Sequence, residues 1–380
     1  MAEENKYKGQ RWNPREGLGR LRRAAEKTEG RTTGWERHAE DDGFLEQHPI
    51  AQRGTHLGES LLASFNRLAR DTGDIPAGAF PGTVSGFQGK TVMVRLDDGG
   101  ELACDVRQAL KKQIKGVKNP LCVGDRVQVE RPNPAEGVIA AVAVRHNQLA
   151  RADSHNKALL HVLAANIDRL VVVSALADPE FKPGFLDRYL VIAAANAIEP
   201  LIVLNKRDLA DPSAPLALYR DIGYATIATS ITDPADPGLT ELRIALAGAT
   251  AVFAGQSGVG KSSLLNALFP HVAARVGDVS TGTGLGRHTT TAARSYPLPA
   301  GGTLIDTPGI RECAIAGLTA IDVALFYPEI ARLHHACKFN DCSHTHEPEC
   351  AVGAAVERGE IAASRYASYC SIVEEDLATG

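Results

Sequence analysis

No stretch of this 380-residue chain is apolar for long enough to cross a bilayer. The best candidate, Tyr189–Leu204, is interrupted by Asn196, Glu199 and Pro200, whereas a spanning helix needs about 20 apolar residues. The opening segment MAEENKYKGQ has no apolar core and does not read as a secretory signal. Charge of one sign is also missing. With 41 Lys and Arg against 45 Asp and Glu, the formal charge is −4, so any nucleic-acid-binding surface must be local. Cysteine is sparse and uneven: Cys337, Cys342 and Cys350 cluster, while Cys104, Cys122, Cys313 and Cys370 are scattered. These absences exclude a membrane-spanning or secreted reading and point to the cytoplasm, where thiols stay reduced and the scattered cysteines are plain buried side chains. What remains is 44% hydrophobic and 23% charged, ordinary for globular protein and long enough for two or three domains.

Residues 1–78 are rich in Arg, Lys, Glu and Gly and read as a largely disordered tail whose 13 basic residues are matched by 13 acidic ones. One island, Glu59–Arg70, spaces Leu61, Leu62, Phe65 and Leu68 as a helix does, which predicts a short helix packed on the body. Residues 79–150 change texture. Five short alternating segments separated by glycine or Asp-Gly turns predict a small barrel of the oligonucleotide-binding (OB) type, although the periodicity equally suits an SH3-like barrel. Between the third and fourth segments, RQALKKQIKGVK carries Arg107, Lys111, Lys112, Lys115 and Lys118 and no acid. On such a barrel this loop is expected to contact an RNA backbone.

Residues 151–315 alternate apolar strands with helices, the pattern of a doubly wound, mostly parallel sheet whose ligands bind at the carboxyl ends of strands. Within it, AVFAGQSGVGKSS reads as a strand, a glycine loop and a helix start. Gly255, four residues, then Gly260-Lys261-Ser262 satisfy the phosphate-loop (P-loop) pattern. The loop Gly255, Gln256, Ser257, Gly258, Val259 and Gly260 can turn backbone N–H groups onto phosphate, and the helix start at Lys261, Ser262 and Ser263 adds more. Lys261 can reach the outer phosphates and Ser262 can bind magnesium. Upstream, Asn205-Lys206-Arg207-Asp208 follows the strand LIVL. Asp208 can accept from the ring N–H and exocyclic amine of guanine, a donor pair that adenine lacks. Asn205 can reach the base edge, and the Lys206 stem can lie over the ring. Thr229 and Ser230 end the next strand and can offer backbone contact.

Downstream, GTGLGRHTTT suggests a mobile loop in which Thr290, rather than Thr289, completes magnesium binding. The strand GTLI then ends at Asp306-Thr307-Pro308-Gly309. Asp306 is expected to hold magnesium through water, and the Gly309 N–H to meet the γ-phosphate. The base-reading motif precedes the phosphate loop, so the order is permuted; a parallel sheet tolerates this because the site is assembled from strand ends. Ile310 stands where Ras-like proteins place a glutamine that orients water, so slow intrinsic hydrolysis is expected. In residues 316–380, Cys337, Cys342, His344 and Cys350 form Cys-x4-Cys-x-His-x5-Cys, a closed tetrahedral set for one structural zinc ion. His346 competes with His344 for the fourth place, while His334 and His335 read as helical surface residues.

These motifs, in this order over about residues 80–375, resemble the RsgA (YjeQ) family of circularly permuted, ribosome-dependent GTPases. The resemblance implies an N-terminal OB-type β-barrel, a central circularly permuted α/β P-loop GTPase domain and a C-terminal α-helical zinc module. It implies hydrolysis of GTP to GDP with magnesium, stimulated by the small ribosomal subunit, and a role in the late maturation of that subunit. It further implies rRNA contacts by the barrel and zinc module, and it maps a catalytic histidine onto His288, beside Lys261 and Thr290; the alternative for His288 is a loop residue that only contacts phosphate or RNA. We expect a monomer without membrane contact that couples hydrolysis to its own release. The alternative is a GTP-sensing RNA-binding protein whose hydrolysis is incidental.

Overall fold

The computed structural model describes residues 62–63, 65–67, 69–70, 78–108, 110, 121–133, 136–152, 160–270, 272, 293–307 and 318–379. They fall into two compact units, one within Ile50–Gly317 and one from Leu318 onward. His288, Thr289, Thr290, Gly309, Ile310, Cys313 and Lys111, Lys112, Lys115 and Lys118 lie outside the described residues.

The first unit opens with five strands: β1 Phe80–Gln88, β2 Thr91–Leu96, β3 Glu101–Val106, β4 Arg126–Asn133 and β5 Glu136–Val142. They close into a barrel of order β1-β2-β3-β5-β4, in which only β3 and β5 pair in parallel. Alternation drives closure. Every second residue of β2 turns inward, so Val92, Val94 and Leu96 meet Leu102, Cys104, Val127, Val129 and Ile139 in one core. Phe65 and Leu110 complete that core, so the predicted island before the barrel packs on it.

A two-stranded ribbon, β6 Gln148–Ala152 and β7 Leu160–Ala165, leads out of the barrel. Neither strand of this ribbon was expected from the sequence. Beyond it lies a six-stranded sheet built from β8 Arg169–Ala175, β9 Glu199–Asn205, β10 Ala225–Thr229, β11 Thr250–Ala254, β12 Arg294–Pro297 and β13 Thr303–Asp306. The order is β10-β9-β8-β11-β13-β12, with β12 alone antiparallel. Helices α1 Pro183–Ala195, α2 Ser213–Asp221, α3 Pro237–Leu246 and α4 Lys261–Leu268 connect the strands. β8 and β9 are buried along nearly their whole length, as expected of strands covered on both faces. The chain winds outward from β8 through β9 to β10, then returns to β11 on the other flank of β8. That reversal is a topological switch point, where ligands bind at the carboxyl ends of strands.

Barrel and ribbon meet at a buried node. Arg145 donates to Asp125 through Nε–Oδ1 at 2.7 Å and a second nitrogen to Oδ2 at 2.8 Å, with both side chains at most 3% exposed. The same guanidinium donates to Gln148 Oε1 at 2.8 Å and stacks 3.5 Å from the Phe65 ring. The Asn66 side chain brackets the Arg145 backbone, donating to its carbonyl at 2.8 Å and accepting from its N–H at 2.7 Å. Next door, Gly124 has φ +94, and a Cβ there would lie 2.1 Å from the Ala165 carbonyl oxygen.

The second unit holds α5 Ala320–Leu325, α6 Pro328–Ala331, a 3-10 turn His334–Ala336, α7 Ala351–Glu357 and α8 Ala363–Thr379. A capping box between Thr319 and Asp322 starts α5. Among the described residues, no helix is long and apolar enough to cross a membrane.

Arg145→Ala would leave Asp125 buried without its cation. We expect a loss of about 3–5 kcal/mol of stability, read by denaturant unfolding of the full chain. A loss below about 1 kcal/mol would show that Asp125 finds water instead.

Candidate nucleotide site and metal centre

The phosphate loop leaves β11 at the centre of the sheet and enters α4 at Lys261. Two glycines fix its path. Gly255 has φ +148, and a Cβ there would lie 2.2 Å from the Val173 carbonyl oxygen, so the loop packs directly on β8. Gly260 caps α4 in the left-handed region at φ +92, where a Cβ would meet Asn205 Nδ2 at 2.5 Å. Val259 is buried beneath the loop, while Ser257, Gly258, Ser262 and Ser263 stay exposed. Lys261 Nζ lies along the loop, donating to the carbonyls of Gly255 at 2.8 Å and Gln256 at 2.6 Å. It is therefore already held among the groups that would surround a phosphate.

The base-reading motif sits at the carboxyl end of β9. Sequence reasoning aimed Asn205 at the base edge, and the structure gives the same side chain a tethering role within the protein. Its side chain is fully buried, donating to the Val259 carbonyl at 2.9 Å and accepting from Thr229 Oγ1 at 3.0 Å. Both ends of the amide are thus used within the protein, which binds the phosphate loop, β9 and β10 together. Lys206, at φ +64, donates to the Asp178 carbonyl. Asp208 accepts from Ser230 Oγ at 2.5 Å, which joins the two strand ends expected to face a base. Asp306 ends β13 next to β11. It keeps an exposed surface, yet neighbouring protein desolvates its carboxyl enough to raise it above the ordinary carboxylate range. A bound divalent cation would reverse that direction.

In the second unit, the ligand atoms of Cys337, Cys342, His344 and Cys350 all lie within 4.8 Å of one another. Cys337 Sγ and Cys350 Sγ are 3.9 Å apart, and His344 Nδ1 lies 3.4 and 3.5 Å from them. Two sulfurs and a nitrogen around one tetrahedral zinc ion would show S···S near about 3.8 Å and S···N near about 3.5 Å. The donor set and spacing therefore fit zinc. Of the two histidines left open by the sequence, His344 faces the sulfurs, whereas His346 is exposed and its Nδ1 meets Thr345 Oγ1 at 3.0 Å. Burial, with His334 adding to it, lowers His344 to about 4, and burial raises the Cys342 and Cys350 thiols.

His334 is not the surface residue expected from its place in a helical pattern. It is 3% exposed, and its Nδ1 lies 2.8 Å from His344 Nε2. With Nδ1 of His344 on a metal, its Nε2–H donates to His334 and the ring orientation is fixed. The surrounding loop is held independently. Glu347 accepts from the N–H groups of Ser343, Thr345 and His346, the Tyr366 hydroxyl donates to His344 O at 2.6 Å, and the Tyr369 hydroxyl donates to Ser343 O at 2.6 Å.

A family model described as RsgA GTPase matches residues 142–316. A small ribosomal subunit biogenesis GTPase RsgA from Haemophilus influenzae (strain 86-028NP) is 42% identical over 291 residues, covering 74% of this chain and 80% of its own. The chain belongs to the RsgA family. A Shewanella oneidensis RsgA of the same description is 37% identical over 322 residues, covering 81% of this chain and 89% of its own. The crystal structure of YjeQ from Thermotoga maritima superposes with a TM-score of 0.64 at 32% identity, over 79% of this chain and 99% of that one. That of YloQ, described as a circularly permuted GTPase, gives 0.63 at 29%, over 80% and 97%. As an RsgA-family member the chain is a GTP hydrolase, and its mixed α/β sheet matches these permuted relatives.

His344→Ala and Cys342→Ser should lose the metal, whereas His346→Ala should keep it. His334→Ala should keep zinc but weaken it about 10- to 100-fold. Metal analysis and chelator competition on the full chain check all four variants.

Proposed function

We propose that this GTPase acts on the small ribosomal subunit, binding its rRNA while GTP is present and leaving after hydrolysis late in the subunit's maturation. The observation that carries the reading is the Asn205 link of 2.9 Å to Val259, which sets a guanine-reading loop beside a phosphate loop. Membership of a family whose curated relatives are named small ribosomal subunit biogenesis GTPases supports the partner. The barrel is of the OB type, a reading supported by its β1-β2-β3-β5-β4 order. The domain limits are 1–78 for the tail, 79–150 for the barrel, 151–315 for the GTPase domain and 316–380 for the zinc module. The protein works as a monomer in the cytoplasm.

In this reading the Gly255–Gly260 backbone and the α4 start bind the phosphates. Lys261 turns from the carbonyls it now contacts to the outer phosphate oxygens, whose charge grows in the transition state. Asp208 accepts from guanine, with the Lys206 stem across the ring. Ser262, Thr290 and, through water, Asp306 would hold magnesium, which would supply charge neutralisation at the phosphates. The Gly309 N–H contacts the γ-phosphate and His288 assists attack by water, roles assigned from sequence. Zinc, held by Cys337, Cys342, His344 and Cys350, fixes the C-terminal module that shares rRNA binding with the barrel.

Lys261→Ala and Ser262→Ala should each lower subunit-stimulated turnover by about 100-fold or more. Turnover would be compared with purified small subunits, large subunits and free RNA. Equal stimulation by all three would overturn the proposed partner, and retained turnover in both variants would overturn the site. Neutralising Lys111, Lys112 and Lys115 should weaken co-sedimentation with small subunits and flatten its salt dependence, leaving intrinsic hydrolysis unchanged. An unaltered salt slope would remove the basic loop from the interface.

A further inference from the structure

Arg207 stands between the two motif residues that address the base, Lys206 and Asp208, and the reading above gives it no task. Its Nε donates to Asp236 Oδ2 at 2.6 Å. Asp236 is 1% exposed, whereas the Arg207 side chain is 36% exposed, so a buried carboxylate is covered by a cation from the base loop. The other Asp236 oxygen is also occupied. It caps α3, accepting from Gly238 N at 2.8 Å and Leu239 N at 3.3 Å. Gly238 in turn packs on β10 so closely that a Cβ would lie 1.9 Å from the Ala228 carbonyl oxygen. Asp236 is thus fixed to the α3 start, and the α3 start to β10.

Arg207 is held at its backbone as well, its N–H donating to the Thr229 carbonyl at 3.1 Å. Between Thr229 and Asp236 runs the segment carrying Ser230, whose hydroxyl donates to Asp208. The ion pair therefore closes a ring through Arg207, Thr229, Ser230 and Asp236, and the Asp208 carboxylate hangs from it on both sides.

We propose that Arg207 and Asp236 are positioning residues that set the selectivity of this site for guanine. The inference rests on Asp208 being the base acceptor. A polar site rejects an analogue lacking one donor only if its own acceptor is then left unpaired. A carboxylate free to swing would find water and lose that discrimination. By fixing the loops on either side of Asp208, the clamp keeps the carboxylate aimed at both guanine donors. Inosine diphosphate, which lacks the exocyclic amine, is the analogue that reports on this.

The test uses the full chain, a fluorescent GDP, and competition by GDP and by inosine diphosphate. The variants are Arg207→Ala, Asp236→Asn, the double variant, Arg207→Lys and Asp208→Asn. Asp236→Asn keeps the capping oxygen, so α3 survives while the ion pair is lost. We expect each single variant to release GDP faster and to shrink the preference for GDP over inosine diphosphate about five- to tenfold. The double variant should be no worse than the worse single, and Arg207→Lys should restore part of the preference. Single variants that weaken both nucleotides equally, or effects that multiply in the double, would overturn the clamp and leave Arg207 as a merely structural residue. If Asp208→Asn collapses the preference while Arg207→Ala and Asp236→Asn preserve it, the clamp alone fails. If Asp208→Asn leaves the preference intact, the base-site reading itself fails.

Discussion

The site depends on one buried amide. Asn205 is wholly enclosed, yet both ends of its side chain are satisfied, by the Val259 carbonyl and the Thr229 hydroxyl. A buried unsatisfied amide would cost on the order of 1–3 kcal/mol, so these three elements stay in register. The need for such a link follows from the distance between the two loops along the chain. Asn205 and Val259 are separated by 54 positions, and the chain runs through β10 and α3 between them. The covalent backbone cannot set their distance, and a hydrogen bond inside a close-packed sheet can. Gly260 belongs to the same arrangement, since any side chain there would displace the Asn205 amide.

Much of this was readable from the sequence because the signals are local. The phosphate loop, Asn205–Asp208 and Asp306 each follow an apolar strand, so strand periodicity and motif spacing placed them at strand ends. The barrel strands were equally plain, since Val92, Val94 and Leu96 alternate with outward residues. Their closing order was not, because periodicity says which face is buried and nothing about neighbours.

What sequence reasoning missed consists of side-chain pairs distant in the chain. Nothing local marks Arg145 and Asp125, 20 positions apart, as a buried pair. Arg207 looked like the free position of its motif, though it meets Asp236 29 residues later, a difference read from 236 − 207. His334 was read as a helical surface residue; the metal-ligand loop folds over it instead. Asn205 was aimed at the base edge on motif logic alone, which gave no sign of its bonds to Val259 and Thr229. The short strand β12 left no usable pattern in four residues.

The position of β12 has a consequence for how this chain can be divided. As the terminal strand of its sheet, it would present unpaired backbone groups along its outer side, a template for adding strands from other molecules. Here the barrel lies against it: Gly86 of β1 approaches Arg294, and Arg95 of β2 reaches the Ser295 carbonyl at 3.5 Å. The barrel thereby shields the rim of the nucleotide-binding sheet from aggregation. A fragment that begins after the barrel would keep the phosphate-loop and base-reading motifs and leave that rim uncovered.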